Sequence, residues 1–421
     1  MVKFKSISSL FSKSYFRKAF SGVLSLFFAL MIVFIPSTTL YPMQALADPT
    51  EYDAATVSKI MNETDIFNLK SKAAILIDAT TGTILHEYNS HEKLPIASIT
   101  KIMSMYLVME AIENGKISFD DFVPVSEYAY GFGGSQVYLQ PGEEFTVHEM
   151  LKAVAIHSAN DATVALAEKI AGSEDVFVSM MNEKARELGL KNTNYLDCTG
   201  LTDEGHYSTA YDIAVLSREL INRYPKILDY TKIWTDTFRN GQFALNNTNK
   251  LIRHYSGTVG LKTGFTSKAG YCLSAVVKRD NLTLISVVLG APDSNTRFAE
   301  TRKLQDYGFA NFEHTVLETK NTEVGPIEVR KGIDMEVQGI IKEDVTVMLK
   351  KGSKERIERR MNLEPYLTAP VEAGQKVGEI TYILDGNEIA KVEVVTAQAV
   401  EKASFIKLFI RMVLEWFGIN K

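Results

Sequence analysis

Ser98–Glu113 reads SITKIMSMYLVMEAIE. Ile99, Ile102, Met103, Tyr106 and Leu107 recur at helical spacing, Pro95 lies ahead of the segment, and Gly115 follows it as a stop. Met105, Val108 and Met109 make most other faces apolar, so the stretch predicts a helix buried nearly all round until Glu110 and Glu113. Its start also carries candidate chemistry, because Ser98 and Lys101 are three residues apart and share one face within mutual reach. A serine hydroxyl is a poor nucleophile until a base takes its proton, and a lysine can be that base when burial and another cation lower its pKa. The helix N-terminus favours negative charge near Ser98. Alone, this S-x-x-K is a weak signal, since a capping serine and an exposed lysine take the same form.

Working outward, Ala73–Asp78 (AAILID) reads as a strand, followed by a turn over Ala79–Gly82 and a second strand at Thr83–Tyr88. Thr146-Val147-His148-Glu149 has the form of a capping box and predicts a helix to about His157. Helical pattern resumes at Asn160–Ile170, which leaves Ser158-Ala159-Asn160 in the tight connection. Gly270–Val277 and Leu282–Leu289 are β-rich runs joined by Lys278–Asn281, and Lys262-Thr263-Gly264 sits on the run just before them. A helical stretch over Thr296–Phe309 then gives way to short alternating segments, and Asp385-Gly386 marks a hairpin between Ile380–Leu384 and Ile389–Val395. The fold class expected is an α/β (α+β) catalytic domain followed by a small all-β domain over 313–397. The mixed-sign stretch Lys350–Arg360 reads as a solvated loop. From Ser404 to Phe417 nearly every position is apolar except Lys407, Arg411 and Glu415, which fall along one narrow stripe. Residues 398–421 therefore predict an amphipathic helix lying on a membrane surface; packing on the protein itself or on a partner is the alternative.

The composition is ordinary for a globular chain: of 421 residues, 46% are apolar and 23% charged, with a net charge of −5. No basic excess is available for phosphates, so nucleic acid is not expected as a partner. Lys3, Lys5, Lys13, Arg17 and Lys18 precede an apolar run from Ala19 to Pro36, and Ala45-Leu46-Ala47 offers a cleavage site, so residues 1–47 read as a secretory signal peptide. An uncleaved anchor is the alternative, and either one delivers the rest of the chain across a membrane. Two cysteines, Cys198 and Cys272, cannot form a disulfide framework and lack redox or zinc spacing; two free thiols are expected, with one bridge as the alternative. No metal-ligand spacing or Gly-rich nucleotide loop is present, so neither metal nor cofactor is expected.

Taken together, Ser98-Ile99-Thr100-Lys101 at a helix start, Ser158-Ala159-Asn160 in a loop and Lys262-Thr263-Gly264 on a strand give the ordered set S-x-x-K, S-x-N, K-T-G. That set is the signature of penicillin-binding proteins and class A β-lactamases. The chain from about Ala73 to Lys421 resembles the low-molecular-mass penicillin-binding proteins that act as serine-type D-alanyl-D-alanine carboxypeptidases. Gly133-Gly134-Ser135, Leu139–Glu143, His157–Ala162, His206–Ala210 and Gly260–Thr266 add to the likeness. It implies a β-lactamase/DD-peptidase-like catalytic domain over 48–312.

The resemblance implies that Ser98 attacks the carbonyl between two D-alanines of a peptidoglycan stem peptide, with Lys101 as base, and forms an acyl-enzyme that water hydrolyses. Ser158 and Lys262 would carry the proton to the leaving amine, the charge of Lys262 would keep Lys101 neutral, and Asn160 would orient the substrate amide. The backbone N–H groups of Ser98 and Phe265 would form the oxyanion hole, Thr263 would bind the terminal carboxylate, and Gly264 would let substrate approach the strand; a simple bulge is the other reading of that glycine. β-Lactam antibiotics would acylate Ser98. The implied location is the extracytoplasmic face of the bacterial membrane, held peripherally. A serine β-lactamase shares the motifs, but no clear Glu-x-x-Leu-Asn-type segment lies between Asn160 and Lys262. A non-catalytic wall-binding protein would be expected to lack Ser98, Lys101 or Lys262. His157 adjoins Ser158, but no Asp is obviously placed to orient it as a Ser-His pair.

Overall fold

The apolar helix read from Ser98 lies at the centre of the core. In the computed structural model, which describes residues 67–202 and 204–418, it starts as a 3₁₀ turn over Ala97–Thr100 and continues as α1 (Lys101–Glu113). Every residue from Lys101 to Met109 is buried, so its apolar character on all sides reflects contact on all sides. The leader and cleavage site expected over residues 1–47 lie outside the described residues.

Beside α1 stands a five-stranded antiparallel sheet built from β1 (Ala73–Asp78), β2 (Ile84–Tyr88), β3 (Thr258–Thr266), β4 (Gly270–Arg279) and β5 (Leu282–Ala291), in the order β2-β1-β5-β4-β3. Strand alternation separates two cores. Ile75, Ile77, Ile285, Val287 and Leu289 face the main core, which includes α1 and residues Ile213–Leu220 of α5 (Ala210–Arg223). Ala74, Leu76, Leu284 and Val288 pack with Leu304 of α6 (Ser294–Asn311) on the other side. The K-T-G residues thus occupy β3, at the sheet's edge.

Between β2 and β3 in the chain, α2 (Val147–Lys152) begins at the expected capping box of Thr146 and Glu149. It widens into a π turn over Ala153–His157 before α3 (Asn160–Ala171) and α4 (Glu174–Glu187).

The all-β part comprises β6 (Phe312–Glu318), β7 (Glu323–Arg330), β8 (Glu336–Ile341), β9 (Val345–Lys350), β10 (Ile357–Leu363), β11 (Tyr366–Thr368), β12 (Lys376–Leu384) and β13 (Asn387–Thr396). Six of these form a sheet in the order β10-β12-β13-β8-β7-β11, while β6 pairs with β9. Asp385-Gly386 turns the β12–β13 hairpin as read from sequence. The expected loop over Lys350–Arg360 is corrected: Ile357–Arg360 begins β10, paired with β12 from Ile357↔Leu384 onward. Its charges obscured a strand because β10 lies at the sheet edge, where charged side chains are favoured; Arg359 pairs there with Glu318.

Both cysteines are buried free thiols. The last element, α7 (Phe405–Trp416), is capped by Ser404, and none of its residues is buried. Arg411 donates to the carbonyls of Gly332 (3.2 Å) and Ile333 (3.0 Å), while Phe405, Ile406, Phe409, Ile410, Met412 and Trp416 are exposed. Among the described residues no helix is long and apolar enough to cross a membrane.

Candidate active site

Ser98 lies in the turn before α1. Ala97 there has φ +49°, a left-handed conformation that a side chain rarely adopts without support from its surroundings. Thr100 Oγ1 donates to the Ala97 carbonyl at 2.8 Å and braces the turn. Lys101 follows as the first residue of α1, fully buried, with Nζ 2.9 Å from Ser98 Oγ and a second bond to the Thr199 carbonyl at 2.8 Å. Burial lowers its pKa from 10.5 to about 8, against the pull of nearby Cys198, Asp197 and Asp161.

The π turn that ends at His157 delivers Ser158 in a left-handed conformation, with φ +65° and ψ +30°. Such turns inside helices are frequent at functional sites. Asn160 opens α3, its backbone N–H donating to Ser135 O and its Nδ2 to Gly133 O, both at 2.7 Å. Its Oδ1 is buried without a hydrogen-bond partner, so an acceptor remains for an incoming N–H group. His157 turns its ring edge to Phe243, and its Nδ1 has no partner, which gives no support to a Ser-His pair.

On β3, Lys262 is fully buried and donates from Nζ to the Thr263 carbonyl at 2.9 Å. Burial pushes its pKa well down, and the charges of Lys101 and Arg297 push the same way. Burial is the main cause of the depression at both lysines. Thr263 Oγ1 meets Thr248 Oγ1 at 2.6 Å, and the Thr248 N–H donates to Ile156 O at 3.3 Å, linking β3 to the π turn. Phe265 is 54% exposed and lies on the Tyr271 ring at 4.3 Å.

Gly264 also has a packing role that the sequence did not indicate. A Cβ there would lie 2.7 Å from Ile96 O and 3.1 Å from Ile99 N, so the missing side chain makes room for the Ser98 turn. The register shift of β3 falls between Thr258 and Gly260, so Gly264 is not a bulge. This close approach brings Ser98 against the K-T-G strand. The S-x-x-K turn and the K-T-G strand thus pack together, and the π turn that leads into Ser158 is tied to the same strand through Thr248.

Several contributors carried no role in the sequence reading. Arg297 of α6 reaches the carbonyls of Gly264 (3.2 Å) and Cys272 (3.3 Å), and burial lowers its pKa to about 10. Thr199, which accepts from Lys101, belongs to a turn gathered on Asp197, whose Oδ1 accepts from the N–H groups of Thr199 (2.7 Å) and Gly200 (2.5 Å). The signal was local: Asp197-Cys198-Thr199-Gly200 has an Asp two residues ahead of the N–H it accepts from.

Residues 58–293 match the family model for D-alanyl-D-alanine carboxypeptidase, and residues 312–402 match that for the penicillin-binding protein 5 C-terminal domain. D-alanyl-D-alanine carboxypeptidase DacF of Bacillus subtilis is 42% identical over 351 residues, which covers 82% of this chain and 90% of that protein. The structure of penicillin-binding protein 5 from Haemophilus influenzae aligns with a TM-score of 0.72 at 34% identity, covering 79% of this chain and 98% of that one. Penicillin-binding protein D2 from Listeria monocytogenes, solved in its ampicillin-bound form, aligns with a TM-score of 0.54 at 33% identity over 58% of this chain and 99% of its own. The chain, with its serine and lysine at one turn and its all-β module behind, belongs to the serine-type D-alanyl-D-alanine carboxypeptidase family of penicillin-binding proteins.

Proposed function

We propose that Ser98 is the nucleophile and Lys101 its base in removing the terminal D-alanine from peptidoglycan stem peptides. The contact of Lys101 Nζ with Ser98 Oγ at 2.9 Å, inside a site that lowers the lysine's pKa to about 8, carries this reading. The Thr199 carbonyl can only accept, so it takes one Nζ–H and leaves the lone pair of the neutral amine free for the Ser98 O–H. Attack forms the Ser98–carbonyl bond. The peptide C–N bond then breaks, D-alanine leaves with a proton delivered through Ser158 and Lys262, and water hydrolyses the ester. The N–H groups of Ser98 and Phe265 receive the developing oxyanion, Asn160 Oδ1 takes the substrate amide N–H, and Thr263 holds the terminal carboxylate, with Gly264 keeping strand and turn in contact. β-Lactams acylate the same serine.

Catalysis is assigned to 48–312, with the all-β part (313–397) and the terminal segment (398–421) as support and anchor. The leader at 1–47 exports the chain, and the exposed apolar residues of α7 hold it peripherally on the extracytoplasmic face of the bacterial membrane. Intact-mass spectrometry of the purified protein with benzylpenicillin and with a D-alanyl-D-alanine-ending peptide, beside Ser98→Ala, tests the reaction. A penicilloyl adduct absent from Ser98→Ala, with D-alanine released from the peptide, is expected. Fast penicillin turnover without peptide cleavage, or a folded protein that does neither, would overturn it.

A further inference from the structure

Thr199 supplies the carbonyl that orients Lys101, and Ala97 precedes the nucleophile in a strained turn; one buried imidazole stands between them. His206 is 1% exposed, and its Nε2 lies 2.8 Å from Thr100 Oγ1, the hydroxyl that donates to Ala97 O. Its Nδ1 accepts from the Leu196 N–H at 3.2 Å. An accepting Nδ1 assigns the proton to Nε2, so the bonds run in one direction: Nε2–H into Thr100 Oγ1, and Thr100 O–H into the Ala97 carbonyl.

On the other side, Asp197 Oδ2 lies 3.5 Å from His206 Nδ1, while its Oδ1 gathers the turn that presents the Thr199 carbonyl. Burial opposes charge on Asp197, but the N–H groups of Thr199, Gly200 and Thr202 and the Thr199 hydroxyl donate to it and hold the carboxyl well below the usual range. The two turns touch directly. A Cβ on Gly200 would fall 1.9 Å from Ala97 O and 2.7 Å from Thr100 Oγ1, and Gly200 has φ +84°. Tyr195 closes the remaining side with its ring edge-on to the imidazole at 5.6 Å.

We propose that His206 is a positioning residue for acylation, which, through Thr100 on one side and the Asp197 turn on the other, fixes the Ser98–Lys101 contact. The proposal rests on Ser98 and Lys101 acting as nucleophile and base. His206 touches neither the serine nor the lysine, so it acts through the turns it braces. Displacements well under a bond length at a nucleophile–base pair are enough to matter for rate.

Side-chain reach separates the two contacts. In His206→Gln the amide nitrogen can replace Nε2 and still donate to Thr100. In His206→Asn the carbonyl oxygen can replace Nδ1 and accept from Leu196, but nothing reaches Thr100. The experiment measures the rate of benzylpenicillin acylation from pH 6 to 10 by intact mass, with saturation curves separating non-covalent binding from the covalent step. Parent, Ser98→Ala, His206→Gln, His206→Asn, Thr100→Val and the Asn/Val double variant are compared, with circular dichroism confirming the fold.

His206→Asn is expected to slow the covalent step by about tenfold to a hundredfold with binding little changed, and His206→Gln to recover most of the rate. Thr100→Val should match His206→Asn, and the double variant should be no slower than either single one. The midpoint of the acylation profile, set by Lys101 among Asp197, Cys198, Asp161 and Lys262, should also move in His206→Asn, because its acceptor is no longer held. Equal rates in parent and folded His206→Asn would overturn the proposal, as would additive losses or a uniform loss at every pH. If His206→Asn does not fold, an unchanged rate in Thr100→Val does the same. A parent that forms no adduct would instead overturn the assignment of Ser98 and Lys101.

Discussion

Lys101 and Lys262 rank among the largest fully buried side chains, and each ammonium is stripped of water close to the other. For Lys101 the folded pKa is about 8 against 10.5 for the exposed group. Below about 8 both the folded and unfolded chains hold the proton, so the destabilisation is fully present. Between 8 and 10.5 the unfolded chain binds the proton and the folded one does not, so this group's contribution to stability rises with pH. A lysine base acts only when neutral, so with Lys101 in the proposed role benzylpenicillin acylation should climb about tenfold per pH unit below 8 and level off above it. A flat profile between pH 6 and 9 would remove Lys101 as the base. Lys262→Met removes a buried amine from an apolar setting and should raise the melting temperature at pH 7 by roughly a few degrees while slowing acylation by about a hundredfold or more. A calorimetric scan and the same mass assay check both halves, and a lower melting temperature with undiminished acylation would contradict the role given to Lys262. Ser98, Lys101, Asn160 and Lys262 were legible because their motifs are local strings. The contributions of His206 and Arg297 were not, since each depends on a contact with a distant part of the chain, and the Asp197 string marks a turn without showing that Thr199 faces Lys101.

The elements that hold those residues are fixed by close approaches as much as by periodicity. The strand β3 can lie against the Ser98 turn only without a side chain at Gly264, because the nearest atoms, Ile96 O and Ile99 N, are backbone that cannot rotate away. Gly264→Ala should cost roughly 1–3 kcal/mol by forcing strand and turn apart, and should slow acylation by about tenfold or more by separating the Ser98 and Phe265 N–H groups. Gly133→Ala is the control, since a Cβ there meets nothing within 4 Å. Denaturant titration and acylation kinetics of the two variants should diverge, and equal behaviour would mean that the packing at Gly264 does not set the site. Apolar period made α1, β1, β4 and β5 readable, and the Thr146 capping box marked the start of α2. The π turn at Ala153–His157 left no such trace, because its residues continue a helical pattern and only the widened hydrogen bonding distinguishes it. Likewise β10 was hidden, since an edge strand can carry Glu358, Arg359 and Arg360 without burying an alternating face.

At the scale of the whole molecule, the parts are stapled in sequence order. Phe312 and Met348 of the β6–β9 pair share a core with Ala74, Leu76 and Leu284 of the main sheet, and His314 Nε2 lies 3.1 Å from Asp78 Oδ2. Farther along, α7 touches the all-β part through Arg411, which bonds the carbonyls of Gly332 and Ile333, while Trp416 is 86% exposed. This arrangement keeps the proposed anchor apart from the proposed site: among the described residues nothing links α7 to Ser98, Ser158 or Lys262. Deleting residues 404–421 should therefore leave D-alanine release from a soluble peptide within about twofold of the parent while abolishing co-sedimentation with phosphatidylglycerol-containing vesicles. Phe409→Asp with Trp416→Asp should weaken vesicle binding by about tenfold or more through loss of apolar contact. Salt should matter much less, because Lys407 and Arg411 are the only cations on the helix, Glu415 offsets one of them, and Arg411 is already held by carbonyls. Binding that survives the deletion would place the membrane contact elsewhere on the chain, and binding lost at high salt but retained in the Asp variants would make it electrostatic instead of apolar.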